Sequence, residues 1–156
     1  ARHADTEQVA SHAGSTLDAV AVDRSDQILR AIGAPDQVDL VAIDEAQFLD
    51  AGIVETVTHL AENCVRVVCA GTDTDFRGEP FGMMGHLMAI AESVTKLEAI
   101  CMICGEPACR NQRLIDGKPA HWNMPIIMPG GADQYQARCR ACFVVPRPDS
   151  EQVPLL

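Results

Sequence analysis

The stretch Val38-Asp39-Leu40-Val41-Ala42-Ile43-Asp44-Glu45-Ala46-Gln47-Phe48 sets the fold: an uninterrupted apolar run, Leu40 to Ile43, ends abruptly in two adjacent acids. A short β-branched-rich run of this kind reads as a strand covered on both faces, as in the middle of a parallel sheet flanked by helices. Ligands of open α/β sheets bind at the carboxyl ends of the strands, where Asp44 and Glu45 fall. One carboxylate there can hold Mg²⁺, directly or through water, while its neighbour accepts a proton or aligns a nucleophile. That is the division of labour phosphoryl transfer needs. The same two acids would also serve to cap a helix that starts after the strand.

Upstream, Leu17-Asp18-Ala19-Val20-Ala21-Val22 reads as a strand, followed by a helix that Asp23 or Ser25 caps, with Ile28, Leu29 and Ile32 on one face. Gly33 ends that helix and Pro35 prevents its continuation. Residues 1–16 are polar and turn-rich, so they read as loop, with His12 as a solvated loop histidine. Downstream of the acidic tip, Ile53, Val54, Val57, Leu60 and Ala61 recur at helical period, and Val65 to Ala70 is a further strand ending at Gly71. Strand, helix, strand, helix, strand is the alternation that builds a parallel sheet by right-handed crossovers. Cys64 and Cys69 read as small core residues.

Gly71 to Gly82 follows no period and leaves the carboxyl end of a strand, on the same side of the sheet as Asp44 and Glu45. Its Phe76 and Phe81, in a chain with only 4% aromatics, either line a pocket for a planar ring or anchor the loop to the core. A helix is expected from Met83 to Ala91, with Met83, Met84 and Met88 as core filler, and then a strand from Ser93 to Ile100.

Cys101-Met102-Ile103-Cys104 and Cys139-Arg140-Ala141-Cys142 are the strongest local signal. Each C-x-x-C turn sets two thiolates at tetrahedral spacing, and the pair completes a four-sulfur Zn²⁺ shell with no open position, which makes the metal structural. Cys109 is then a bystander or an alternative ligand. Between the knuckles lies Pro125-Ile126-Ile127-Met128-Pro129-Gly130-Gly131-Ala132-Asp133-Gln134-Tyr135, a loop whose root the zinc would hold. Trp122 and Asn123 are placed at its flexible tip, and the proline-rich tail after Val145 reads as unstructured.

Composition narrows the function further. A chain of 156 residues with 47% apolar content and mean hydropathy near zero suits one folded core with a small appended module. No apolar run approaches the roughly 18 residues of a membrane span, and the polar first ten residues are not a signal peptide. The net charge of −10 and pI near 4.7 argue against a polynucleotide as partner, though not against a nucleotide brought with Mg²⁺. Seven cysteines, four of them in knuckles, favour zinc in a reducing, cytoplasmic setting over disulfides. The chain opens at Ala1 without methionine, in what reads as a loop entered midway, so a preceding segment is expected.

The ordered series Asp44-Glu45-Ala46-Gln47-Phe48, Asp73-Thr74-Asp75-Phe76-Arg77-Gly78-Glu79-Pro80-Phe81-Gly82, Thr95-Lys96-Leu97, the first knuckle, Gly130-Gly131-Ala132-Asp133-x-Tyr135 and the second knuckle resembles the zinc-containing (type II) thymidine kinases, from about Ser11 to Pro146. The resemblance implies a P-loop (RecA-like) α/β parallel sheet flanked by helices over residues 1–98, a zinc-anchored lasso domain over 99–146 and a flexible tail over 147–156. It implies transfer of the ATP γ-phosphate to the 5′-hydroxyl of deoxythymidine in nucleotide salvage. By position, Glu45 would take the hydroxyl proton, with Asp44, Glu45, Ala46 and Gln47 at the Mg²⁺-ATP site. Phe48, Phe76 and Phe81 would line the nucleoside pocket, Phe76 foremost. Ile126, Ile127, Met128, Pro129 and Gly130 would bind the base through backbone groups, with Tyr135 closing the site. Cys101, Cys104, Cys139 and Cys142 would hold zinc, and the assembly would be a homotetramer.

Three departures accompany the resemblance. Thr72 stands where the family usually has leucine and Asn111 where it usually has threonine, both more polar than the niche a thymine methyl needs. No G-x-x-x-x-G-K-[ST] occurs in the sequence. The family carries that loop upstream of the point matching Ala1, so truncation is the expected reason. The competing readings are a non-catalytic zinc-binding remnant or nucleoside-binding module, and a helicase-like ATPase suggested only by Asp-Glu-Ala-Gln.

Overall fold

The computed structural model describes residues 6–10, 16–128 and 134–148. Among these the chain divides into two compact units, one within Ala1–Thr72 and Gly82–Ile90, the other within Asp73–Phe81 and Ala91–Leu156. Residues 73–81 and 91–98, placed by the sequence reading in the first domain, pack within the second unit.

The first unit is mixed α/β. Strands β1 (Thr6–Ala10) and β2 (Thr16–Val20) pair antiparallel, while β3 (Leu40–Ile43) and β4 (Arg66–Cys69) pair parallel. Two expectations are corrected here. Residues 6–10 are strand rather than loop, and β2 joins β1 in a separate ribbon, so among the described residues the parallel sheet has two strands instead of three. His12 and the turn around it lie outside the described residues.

Helices α1 (Ser25–Ile32), α2 (Ile53–Glu62) and α3 (Met84–Ile90) follow the sequence periodicity. Their apolar faces meet the inner face of the β3–β4 pair, where Val41 and Ile43 join Ile28, Ile53, Val57, Leu60, Met84 and Leu87 in one core. Each fully buried aliphatic side chain there contributes about 1.5–3 kcal/mol. The opposite face, with Leu40, Ala42, Val68 and Ala70, is exposed, so β3 is covered on one face and not on both.

The helix ends show which residues cap. Neither Asp23 nor Ser25 supplies the α1 cap from its own side chain. Instead, the Asp50 carboxylate accepts from Ser25 N (3.0 Å) and Ser25 Oγ (2.8 Å), and also from Gly52 N (2.9 Å) at the start of α2. One acid thus serves two helix N-termini, where negative charge is favoured. At the other end of α2, Cys64 N donates to Ala61 O and Val65 N to Leu60 O, a Schellman pattern that places Cys64 in left-handed backbone at φ 64°. Cys64 is therefore an exposed helix stop and not a core residue, while Cys69 is half-buried, its thiol pKa raised by burial.

The second unit is built from short antiparallel strands. β5 (Ala99–Ile100) pairs with β6 (Pro107–Ala108), and β7 (Arg110–Ile115) lies between β8 (Lys118–Pro119) and β9 (Tyr135–Arg138). The strand expected from Ser93 shrinks to Ala99–Ile100, because β6 offers only two partners and Pro107 has no N–H to donate. Asp116 and Gly117, both at positive φ, turn β7 into β8. Among the described residues no helix is long and apolar enough to cross a membrane.

Candidate functional site

At the carboxyl end of β3 the backbone turns sharply. Glu45 adopts left-handed angles (φ 52°, ψ 38°), which a side chain with a Cβ occupies at a cost of about 1–3 kcal/mol. Packing holds it there: Ala46 N donates to Ala70 O (3.0 Å) and Ala46 is wholly buried, while Glu45 N donates to Asp44 Oδ1 (2.9 Å). Asp44 and Glu45 both reach solvent.

Gln47 organises this tip. Only 4% exposed, it donates from Nε2 to Glu45 Oε2 and accepts at Oε1 from Thr72 N (3.0 Å). Two glycines make room for it. A Cβ on Gly71 would stand 2.3 Å from Gln47 Oε1, and one on Gly82, at φ 51°, would stand 2.2 Å from Gln47 O. Both glycines therefore exist for close approach. The adjacent Phe48, half-exposed, follows in the same 3-10 turn, its N–H donating to Glu45 O (3.1 Å). Asp44, Glu45, Ala46, Gln47 and Phe48 are thus gathered on one turn; the carboxylates are offered outward and the Gln47 amide is spent inward.

In the second unit, Asp75 shapes the segment Asp73–Phe81. Its buried carboxylate accepts from Arg77 N (2.8 Å) and Glu79 N (3.1 Å), Asp75 N donates to Glu79 O, and Phe81 N donates to Asp73 O. Lys96 Nζ lies 2.7 Å from Asp73 Oδ2. This turn drives Phe76 inward until it is 2% exposed, as anchoring requires, with Phe81 half-buried. Around Phe76 pack the guanidinium of Arg113 (4.1 Å from the ring centre) and that of Arg77 (5.3 Å). Trp122, expected at a flexible tip, is half-buried between Arg77 (5.3 Å) and Arg147 (3.9 Å), with its backbone N–H donating to Pro146 O.

Arg113 is the residue that sequence reasoning missed. Its Nε donates to Tyr135 Oη (2.9 Å), its Nη1 to Pro125 O (2.5 Å) and its Nη2 to Ile126 O. Tyr135 stands directly opposite on β9. So Phe76, Ile126 and Tyr135 are brought together, while Ile127 and Met128 continue from Ile126. Pro129 and Gly130 lie outside the described residues. Thr72 touches the Gln47 amide through its backbone, and Asn111 is half-buried on β7 opposite Ala137.

The four knuckle cysteines converge as expected. Cys101 to Glu106 closes the β5–β6 hairpin through Cys101 N to Glu106 O and Gly105 N to Cys101 O, and Met102 N donates to Ala137 O on β9. The Sγ atoms of Cys101, Cys104, Cys139 and Cys142 all lie within 4.8 Å of one another, with Cys104 and Cys139 3.6 Å apart. Zn–S bonds of about 2.3 Å in a tetrahedron put sulfurs roughly 3.8 Å apart, so the donor set fits zinc.

The thiols cannot all ionise unaided. Cys101 is pulled down to about 6, chiefly by the Cys139 backbone N–H, whereas Cys142 is pushed up to about 12 by its thiol contacts with Cys139 and Cys104. Cys104 is raised although the Glu106 backbone N–H favours its thiolate, because the Cys101 and Cys139 sulfurs act against it. A divalent cation would remove that conflict. Gln112, 1% exposed, braces the module by donating to Val144 O and accepting from Val144 N, each at 2.9 Å. Cys109 is exposed and outside the cluster.

Compared with known protein families, the chain matches the family model described as thymidine kinase over residues 1–143.

Proposed function

The chain belongs to the thymidine kinase family, and from that premise we propose that it transfers the γ-phosphate of ATP to the 5′-hydroxyl of deoxythymidine. The four-cysteine cluster is consistent with the zinc-containing type II members. The observation that carries the reading is Glu45: an outward carboxylate held in left-handed backbone at a strand tip, with Gln47 fixing one oxygen. Strain retained at such a position is the mark of a group whose placement matters. In this reading Glu45 takes the proton of the attacking hydroxyl, and the neighbouring Asp44 would hold Mg²⁺, which when bound would supply positive charge to the phosphates. Ala46 contributes through its place in the turn, and Gln47 through its hold on Glu45.

The second unit would then recognise the nucleoside, with Phe81, Tyr135 and the run from Ile126 to Gly130 and with the buried Phe76 backing them from inside, while Phe48 stands on the Glu45 turn. Structural zinc at Cys101, Cys104, Cys139 and Cys142 would hold the root of that run. A cytoplasmic homotetramer acting in nucleotide salvage completes the proposal and rests on family likeness. ATP-dependent phosphorylation of thymidine by the purified full chain, beside deoxyuridine and deoxycytidine, tests it. Thymidine monophosphate as the main product supports the reading, and the panel reads the effect of Thr72 and Asn111. Nucleoside binding without product would replace it with a binding module.

A further inference from the structure

We propose that Arg113 is a positioning residue for the nucleoside site, locking Tyr135, Phe76 and the start of the 126–130 run into one preformed wall. The inference rests on the nucleoside-binding role proposed for those residues. Its basis is that a single guanidinium, 1% exposed, spends its donors on the Tyr135 hydroxyl and on the Pro125 and Ile126 carbonyls while lying 4.1 Å over the Phe76 ring. It also lies 5.3 Å from the Tyr135 ring.

A charge in that position is costly unless it is compensated, and each of the three guanidinium nitrogens has an oxygen partner. The ion pairs among the described residues do not include Arg113, so carbonyls, a phenol oxygen and aromatic faces compensate it. Such compensation is directional. The planar fork reaches three oxygens at once and stacks on a ring, which a lysine ammonium cannot do. Arg113 sits on β7, facing Tyr135 in register, so the strand fixes the fork and the fork fixes the loop. With Tyr135 Oη accepting from Arg113, its own proton is directed away from the guanidinium and stays available as a donor. Preorganisation of this kind lowers the ordering cost of binding and leaves phosphate chemistry alone.

The test is Arg113→Lys in the full zinc-loaded protein, with Tyr135→Phe as a second variant that removes one acceptor and keeps the ring. Steady-state KM for thymidine and for ATP are measured separately, together with zinc content and thermal melting. Calorimetric thymidine binding without ATP gives a readout independent of turnover. The expected result is a thymidine KM and Kd raised about tenfold in Arg113→Lys, the loss of roughly one charge-assisted hydrogen bond. The KM for ATP should stay within about twofold, and Tyr135→Phe should move thymidine binding the same way by less. An unchanged thymidine Kd in Arg113→Lys overturns the inference while leaving the kinase reading intact. Thymidine and ATP constants rising together with loss of zinc or melting temperature overturns it too, in favour of a general stabilising role. Should the unaltered protein bind no pyrimidine nucleoside, the underlying reading fails, and the inference with it.

Discussion

The Gln47 side chain joins two places at once: its amide nitrogen donates to the Glu45 carboxylate, and its oxygen accepts from the backbone N–H of Thr72 at 3.0 Å. The Glu45 carboxylate is thereby tied to the loop that leaves β4 and not only to its own strand. Gln47→Ala removes both bonds and opens a hole beside Gly71. If Glu45 is the base, kcat for nucleoside phosphorylation should fall about 10–100-fold with zinc content unchanged, since a misplacement of about 1 Å is enough for that loss. A Gln47→Ala variant with full kcat would show that Glu45 needs no such support.

Zinc should be present at one ion per chain and should depend on all four knuckle cysteines. Cys142→Ala leaves three sulfurs, and we expect metal content measured by atomic emission to drop well below one, with the melting transition lowered. Cys109→Ser, which alters an exposed thiol outside the cluster, should keep full zinc. Full occupancy in Cys142→Ala, or its loss in Cys109→Ser, would mean that the ligand set is wrong.

Acid should weaken the first unit through Asp50. Its carboxyl titrates below the ordinary carboxylate value, chiefly because the charged form accepts from the Ser25 hydroxyl, then from Ser25 N and Gly52 N. The unfolded chain binds a proton there near pH 4, so on acidification the unfolded state takes up protons first and stability falls with pH. The contribution is whole above about pH 5 and disappears as pH drops through the folded value. Asp50→Ala should therefore melt lower than the unaltered protein at pH 7, and the gap should narrow by about pH 3. Parallel melting curves across that range would remove Asp50 from the account.

The strand tip, the three helices and the zinc knuckles were legible in the sequence because each depends on local pattern: an apolar run into acids, a 3.6-residue period, a C-x-x-C spacing. What sequence did not disclose depends on partners. Leu40 to Ile43 reads the same whether one or both faces are covered, and Thr6–Ala10 becomes strand only by pairing with Thr16–Val20. Residues around Leu97, which is 89% exposed, have β-branched neighbours but, among the described residues, no strand pairs with them. Asp116-Gly117, by contrast, is a hairpin signal that the sequence itself carries. Arg113 was hidden for a different reason: arginine is ordinarily a surface residue, and only its register opposite Tyr135 turns it inward.

The most direct measurement is single-turnover phosphorylation of thymidine by the full chain and by Glu45→Gln, under saturating ATP and thymidine. Glutamine keeps the shape of the side chain but cannot take a proton. A base in this role contributes about 10²–10⁴-fold, so the account predicts a loss of that size in the chemical step, with thymidine affinity and zinc content retained. A Glu45→Gln protein that phosphorylates thymidine at the original rate would contradict it.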